Sequence, residues 1–204
     1  MNLAASRPSE VAVLAPMIER ADMSQAVDVP QLFDTVRSEY GRLDILVNNA
    51  GVAVFQMIEE AFHRQFNLNV LGYLLAVREA VKLLGPGGSI INISSILSTD
   101  PYLASSVYSA TKGAVDTLTF ALARELGSKG IRVNCILPGH TNTPATDGNF
   151  AGEFGQQRIA GTPLGRFGEP EDIAPLAVFL ASGDAHWVTG ESIRASGGVR
   201  GVGY

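Results

Sequence analysis

The sequence predicts an α/β fold, a parallel sheet covered by helices on both faces, and three observations carry the prediction. Short β-branched runs alternate with longer segments whose apolar residues recur at helical spacing. The strand-like runs are apolar and bounded by turn residues, as strands buried on both faces require. Strand, helix, strand, helix in succession calls for parallel pairing with helical crossovers. A chain of 204 residues suits a single domain, taken as residues 1–204.

In chain order, "VAVLAP" (11–16) reads as either helix or strand, and Pro16 limits both. "LDILVNNAG" (43–51) is the first clear strand, and "EEAFHRQFNLNVLGYLLAVREAVKLLG" comes next as helix, stopping at Gly85. "GSIINISS" (88–95) is the second strand, with "GPGG" (85–88) a plain turn, because it joins helix to strand rather than strand to helix. The next helix, "SSVYSATKGAVDTLTFALARELGSKG", carries one stripe of Val107, Ala110, Ala114, Leu118, Ala121 and Leu122, and stops at Lys129 and Gly130. "GIRVNCILPG" (130–139) and "GESIRASGG" (190–198) are further strands. "EPEDIAPLAVFLASGD" (169–184) is a helix with acids in its first turn, and Pro175 argues for a start later than the pattern suggests. Residues 139–168, rich in Gly, Pro, Thr and Asn, read as a substrate lid with a short helix around Phe154 to Ile159.

Composition excludes several classes. No apolar run approaches the ~18 residues that span a bilayer, and Arg7 and Glu10 interrupt any leader-like stretch. The net charge of −5, without a basic cluster, argues against nucleic acid. The one cysteine, Cys135, lies in "VNCILP" and reads as a small buried hydrophobe, which suits a reducing cytoplasm. His63, His140 and His186 are scattered, with no metal-binding spacing. Trp187 and Phe179 read as core or subunit contacts, and Arg194 as an interface residue on a strand.

The stretch "ISSILSTDPYLASSVYSATK" (93–112) gathers hydroxyls and ends in one of only three lysines. On a helix, Tyr108 and Lys112 share a face. An ammonium beside a phenol favours phenolate, which would make Tyr108 an acid or base at neutral pH. Ser95 closes the preceding strand, where its hydroxyl can hold a substrate oxygen in line with the phenol; the alternative is that Ser94, Ser95 and Ser98 are turn and capping residues.

With "NNAG" (48–51), "NVLG" (69–72), "ISS" (93–95), "YSATK" (108–112) and "LPG" with Thr143 (137–143) in that order, the chain resembles the short-chain dehydrogenase/reductase family. "PLGRFGEPEDIAPLAVFLAS" and "VTGESIRASGG" are similar to the family's C-terminal third. The resemblance runs from about Asp22 to Gly198 and implies a Rossmann-like fold. It also implies hydride transfer between NADP (or NAD) and a carbonyl/alcohol substrate, possible substrates including 3-oxoacyl thioesters. Tyr108 would be the acid/base, Lys112 would lower its pKa and bond the nicotinamide ribose, Ser95 would polarise the carbonyl, and Asn69 would hold a water. Asn49, Ala50 and Gly51 would line the cofactor, Asp22 and Met23 would contact adenine, and Pro138, Gly139 and Thr141 would flank the nicotinamide. Family members usually assemble as dimers or tetramers through the tyrosine-bearing helix and its neighbour, and through the last helix and strand.

The resemblance breaks at the front, where the family's first strand, glycine-rich turn (TGxxxGxG) and first helix have no counterpart. That turn normally lays backbone amides against the cofactor pyrophosphate. "NLAASRPSE" is similar to the segment just after the family's second strand, so Ser6 and Arg7 would meet a 2′-phosphate and favour NADP; an arbitrary terminal arginine is the alternative. Without the first strand, the edge of "DILVNN" would be exposed unless "EVAVLAP" fills the slot. The competing function is a non-catalytic relative that serves as a subunit partner.

Overall fold

The computed structural model describes residues 19–144, 146 and 152–200. Ser6, Arg7 and the "EVAVLAP" segment lie outside the described residues. Four strands, β1 (Leu43–Asn48), β2 (Leu84–Ile93), β3 (Arg132–Pro138) and β4 (Ser192–Ala195), form one sheet in that order, with every neighbouring pair parallel. Each crossover is helical, as the alternation of patterns requires.

One face of the sheet is covered by α1 (Asp28–Tyr40), α3 (Gly72–Ala80) and α4 (Ser106–Gly127). Val29 and Phe33, Leu75, Ala76 and Ala80, and Ala123 and Leu126 meet Ile90 and Val133 there. The opposite face packs Ile91 and Ile136 against Leu180 of α6 (Pro170–Ala181). Ile90 and Ile91 therefore point to opposite sides, as the two-residue period of a strand dictates. Register is reinforced by a buried polar chain. Asn48 Nδ2 donates to Asn92 Oδ1 at 2.9 Å, Asn92 Nδ2 to Thr119 Oγ1 at 2.9 Å, and Thr119 Oγ1 to the Val115 carbonyl at 2.9 Å. A one-residue slip would turn both asparagines to the other face and leave buried amides unpaired.

Several expectations need correction. The helix after β1 is divided into α2 (Glu59–Phe66), a π-helical turn (Asn67–Leu71) and α3. Helix α1 escaped the sequence reading, although Val29, Leu32, Phe33 and Val36 have the amphipathic spacing that would have found it. Residues 85–88 bulge out between Leu84, paired with Leu43, and Ser89, paired with Ile45. This bulge lies at the amino edge of the sheet, where Gly87 N–H meets the Gly130 carbonyl.

The stripe read on α4 is not its core face. Ala110 and Ala121 are exposed, and the buried positions are Ser109, Thr111, Lys112, Val115, Asp116, Thr119, Ala123 and Leu126. Polar residues thus face the interior because the site is built from them. Pro175 does not delay α6, which starts at Pro170 behind a capping box of Glu169 and Asp172. The proline removes only the N–H that would reach Glu171, an exposed residue. The region read as a lid does contain the short helix expected around Phe154 to Ile159, as α5 (Gly152–Ala160). Trp187 is 91% exposed, so it is not core.

Candidate active site

The carboxyl ends of β1, β2 and β3 lead directly into residues 49–52, Ser94–Ser95 and Pro138–Thr141. Ser95 has extended backbone and accepts the Leu97 N–H at 3.2 Å, capping a short 3-10 turn (Ile96–Ser98). Its side chain also lies close enough to the Tyr108 phenol to act on that group's ionisation. The capping and chemical readings of Ser95 therefore coexist: the cap fixes the backbone from which the hydroxyl reaches the tyrosine.

Lys112 is 3% exposed and donates from Nζ to the Ile93 carbonyl at 2.8 Å. The same carbonyl accepts the Tyr73 hydroxyl at 3.1 Å. Nζ lies 5.6 Å from the Tyr73 ring centroid and 5.7 Å from that of Tyr108. Ser94 Oγ donates to the Lys112 backbone carbonyl at 3.1 Å, tying this turn of α4 to the end of β2. Burial pushes the Lys112 ammonium down to about 8, with Cys135 and Asp116 acting the other way.

Tyr108 departs from expectation. Burial raises its pKa, the Ser95 side chain opposes that rise, and Lys112 does not bring the phenol below its ordinary value. The physical reason is that Lys112, pushed down to about 8, loses its charge before the phenol, raised above its ordinary value of 10, begins to titrate. The phenol is consequently protonated at neutral pH, the state of an acid.

Asn69 sits in the π-helical turn and is wholly buried. Its Oδ1 accepts the Val52 N–H at 2.8 Å, and its Nδ2 donates to the Val52 carbonyl at 2.9 Å and to Thr111 Oγ1 at 3.0 Å. Thr111 Oγ1 in turn donates to the Tyr108 carbonyl at 2.7 Å. The side chain thus braces the loop after β1 against α4. Single-turn π bulges allow such a departure from regular helical phase and cluster at functional sites. Gly51 fits between the two: a Cβ there would lie 3.3 Å from Asn69 Oδ1 and 3.5 Å from Lys112 Nζ. Asn49 and Ala50 beside it are exposed.

Pro138 ends β3, Gly139 N–H bonds the Ala195 carbonyl at 2.9 Å, and Thr141 Oγ1 donates to the Gly139 carbonyl at 3.1 Å. Asp22 and Met23 form the approach to α1. Asp22 Oδ1 accepts the N–H and hydroxyl of Ser24 at 2.9 and 2.7 Å, and these bonds lower its pKa. The Met23 carbonyl lies against Gly72, three residues past Asn69, and its side chain packs on the core. Arg194 pairs with Asp100 at 2.6 Å and with Thr99, both beyond the 3-10 turn, so its contacts are within the chain.

Sequence reasoning missed the aromatic surround. The Phe55 ring meets that of Tyr108 edge-on at 6.1 Å. The Tyr102 hydroxyl bonds His140 Nε2, the Arg158 guanidinium lies 4.8 Å from the Tyr102 ring centroid, and Phe167 meets His140 edge-on at 6.0 Å. Burial, then Arg158, holds His140 down to about 4, so its imidazole is neutral. The available signal was position: His140 directly succeeds Pro138–Gly139, and Tyr102 lies between Ser95 and Tyr108.

Comparison with known proteins bears on this arrangement. A family model described as enoyl-(acyl carrier protein) reductase matches residues 3–200. An uncharacterized oxidoreductase of Methylorubrum extorquens is 51% identical over 189 residues, covering 89% of this chain and 75% of that protein. A short-chain type dehydrogenase/reductase of Picea abies is 40% identical over 202 residues, covering 94% and 73%. A blue fluorescent protein from a metagenomic library, solved in complex with NADPH, superposes with a TM-score of 0.82 at 33% identity, covering 88% of this chain and 74% of that one. A parallel Rossmann-like sheet, a Ser–Tyr–Lys cluster at its carboxyl edge and relatives of this similarity lead to one conclusion: the chain belongs to the short-chain dehydrogenase/reductase family of oxidoreductases.

Proposed function

We propose that the chain is an NADP-linked oxidoreductase that reduces a carbonyl to an alcohol, or the reverse, with 3-oxoacyl thioesters among the substrates to be tried. One observation carries the reading: the Ser95 side chain lies close enough to the Tyr108 phenol to oppose the rise in its pKa, while Lys112 Nζ lies 5.7 Å from the centroid of that ring. The donor set suits the nicotinamide ribose. Lys112 Nζ gives one hydrogen bond to Ile93, and an ammonium carries three N–H groups, so donors remain for ribose hydroxyls. Bound NADPH supplies the hydride. Ser95 donates to the substrate carbonyl oxygen and orients it, and the protonated Tyr108 phenol gives that oxygen its proton. Lys112 provides positive charge as the phenolate forms. Asn69 holds the Gly51–Val52 loop and, through Thr111, the backbone of Tyr108 in one geometry. Asn49, Ala50, Gly51, Pro138, Gly139 and Thr141 border the cofactor in this reading, Asp22 and Met23 meet its adenine, and Ser6 and Arg7 its 2′-phosphate. Residues 139–168 serve as the lid.

The reading extends to assembly and setting. Phe62 of α2, Leu71 and Leu74 around the start of α3, and Phe120 of α4 are exposed, which suits a homo-oligomer, dimer or tetramer, joined through these helices. The lone buried Cys135 suits the cytoplasm. Among the described residues no helix is long and apolar enough to cross a membrane.

The decisive experiment is NADPH fluorescence titration with carbonyl-dependent NADPH oxidation, on wild type and Tyr108→Phe. Wild type should bind saturably and turn over, and the variant should keep its affinity and lose about 10³-fold in kcat, the scale of a lost proton donor. Equal turnover in the variant would overturn the role of Tyr108. A second reading, a non-catalytic subunit partner, predicts no saturable NADPH binding.

A further inference from the structure

Asp116 is a carboxylate in an unexpected place. It is 8% exposed on the inner face of α4, beside an apolar cluster of Tyr73, Ile96, Val115, Cys135 and Leu137. Buried carboxylates are retained where something charged or donating holds them. The Cys135 thiol donates to Asp116 Oδ1 at 3.5 Å, and thiols are weak donors, so this bond alone is a thin reason for a buried charge. Among the described residues Asp116 forms no ion pair. One helical turn back on the same face is Lys112, itself buried and bonded only to a neutral carbonyl.

We propose that Asp116 is a positioning residue of the hydride-transfer centre: its carboxylate, one turn from Lys112 on α4 and held by the Cys135 thiol, is the counter-charge that keeps Lys112 an ammonium ion at the Ile93 carbonyl. The titratable groups facing Lys112 are Tyr73 from α3, Tyr108 and Asp116 from α4, and Cys135 from β3. Burial raises Tyr73 and Tyr108 and pushes Cys135 up to about 12, so all three are neutral while Lys112 titrates. Although Cys135 outranks Asp116 among the influences that favour the ammonium, a neutral thiol carries no charge with which to do so. Asp116 is the group left. In this role it acts on the reaction only through the lysine.

The role in catalysis rests on the oxidoreductase reading; the electrostatic statement does not, and its test needs no turnover. The chain has only three lysines, so full-length protein labelled with ¹³C-lysine gives three side-chain titrations, and Lys112→Met assigns the buried one. Asp116→Asn should lower the Lys112 midpoint by about one unit or more, since loss of a neighbouring opposite charge shifts a pKa by ~1–3 units. Asp116→Glu should restore most of the difference, and Cys135→Ala should move it far less. In active protein the pH limb of kcat should move with the midpoint while KM stays nearly constant. An unchanged Lys112 midpoint in a folded Asp116→Asn protein would overturn the proposal. If that variant does not fold, the wild type decides. The Asp116 carboxyl carbon should report the Lys112 titration with the same midpoint, and a carbon blind to it would equally overturn the proposal. A protein that moves no hydride but shows the shifted midpoint would sink the oxidoreductase reading and leave Asp116 in place.

Discussion

Lys112 is taken out of water, and among the described residues its hydrogen bond is to a neutral carbonyl rather than a carboxylate. Its pKa falls from 10.5 to about 8 on folding, so between those values the unfolded chain binds more protons than the folded one. Stability from this group is therefore fully present above the unfolded value and is lost as pH falls through about 8. The deficit at neutral pH is about 3 kcal/mol, the free-energy equivalent of that shift. Lys112→Met should remove it. The variant should melt higher than wild type at pH 7, and the gap should close as pH rises from 8 towards 10.5. The comparison must be made as a difference between the two proteins, because Cys135, raised to about 12, destabilises both above its unfolded value of 9. Differential scanning calorimetry at pH 7 and 9 checks this, and a variant less stable than wild type at pH 7 would refute the view that the site trades stability for chemistry.

At the scale of elements, the close approach of the Asp22–Met23 turn to α3 gives a prediction whose sign runs against helix propensity. Alanine in place of glycine inside a helix normally gains ~1 kcal/mol. At Gly72 the new Cβ would fall 2.6 Å from the Met23 carbonyl oxygen and 3.4 Å from its carbon. Both are backbone atoms, in a turn fixed by Asp22 N–H to Asp28 and by Ser24 to Asp22. Gly72→Ala should therefore cost about 1–3 kcal/mol, the usual penalty of overpacking. Gly113→Ala on α4, whose nearest neighbour is Ser98 O at 3.8 Å, should be neutral or stabilising. Urea denaturation of the pair checks the contrast, and equal effects would sink it. This contact also shows what the sequence could and could not disclose. Strand runs such as "VNCILP" were legible because burial on both faces leaves nearly continuous apolar residues. The π-helical turn was not, because nothing in local composition separates Asn67–Leu71 from regular helix. Its cause is the bonding of Asn69 to Val52 and Thr111, 17 and 42 residues away. The inner face of α4 was misassigned for a related reason. Apolar spacing finds a core, but the site buries Lys112, Asp116 and Thr119 instead.

Across the whole molecule, the sheet is protected unequally. Helix α6 packs on β2, β3 and β4, while α3 covers β1 from the other side. Ile45 and Val47 of β1 are 43% and 46% exposed as a result, and β1 pairs only with β2 among the described residues. The resemblance places the family's first strand beside "DILVNN", on the edge of β1 that has no partner among the described residues. An apolar strand edge with open N–H and C=O groups is a template for further pairing. Where no other segment of the chain pairs with β1, this edge is a route to concentration-dependent association. Replacing Ile45 and Val47 together by lysine puts two like charges on that edge, where pairing with a second copy would oppose them. Both side chains are nearly half exposed, so the melting temperature should change little, because substitutions at such positions usually stay within ~0.5 kcal/mol each. Sedimentation velocity over a concentration series separates this edge from the helical surface of Phe62, Leu71, Leu74 and Phe120. If assembly runs through the helices alone, the double lysine variant will sediment as wild type does. If β1 contributes, the larger species will be lost while the helix-mediated one survives.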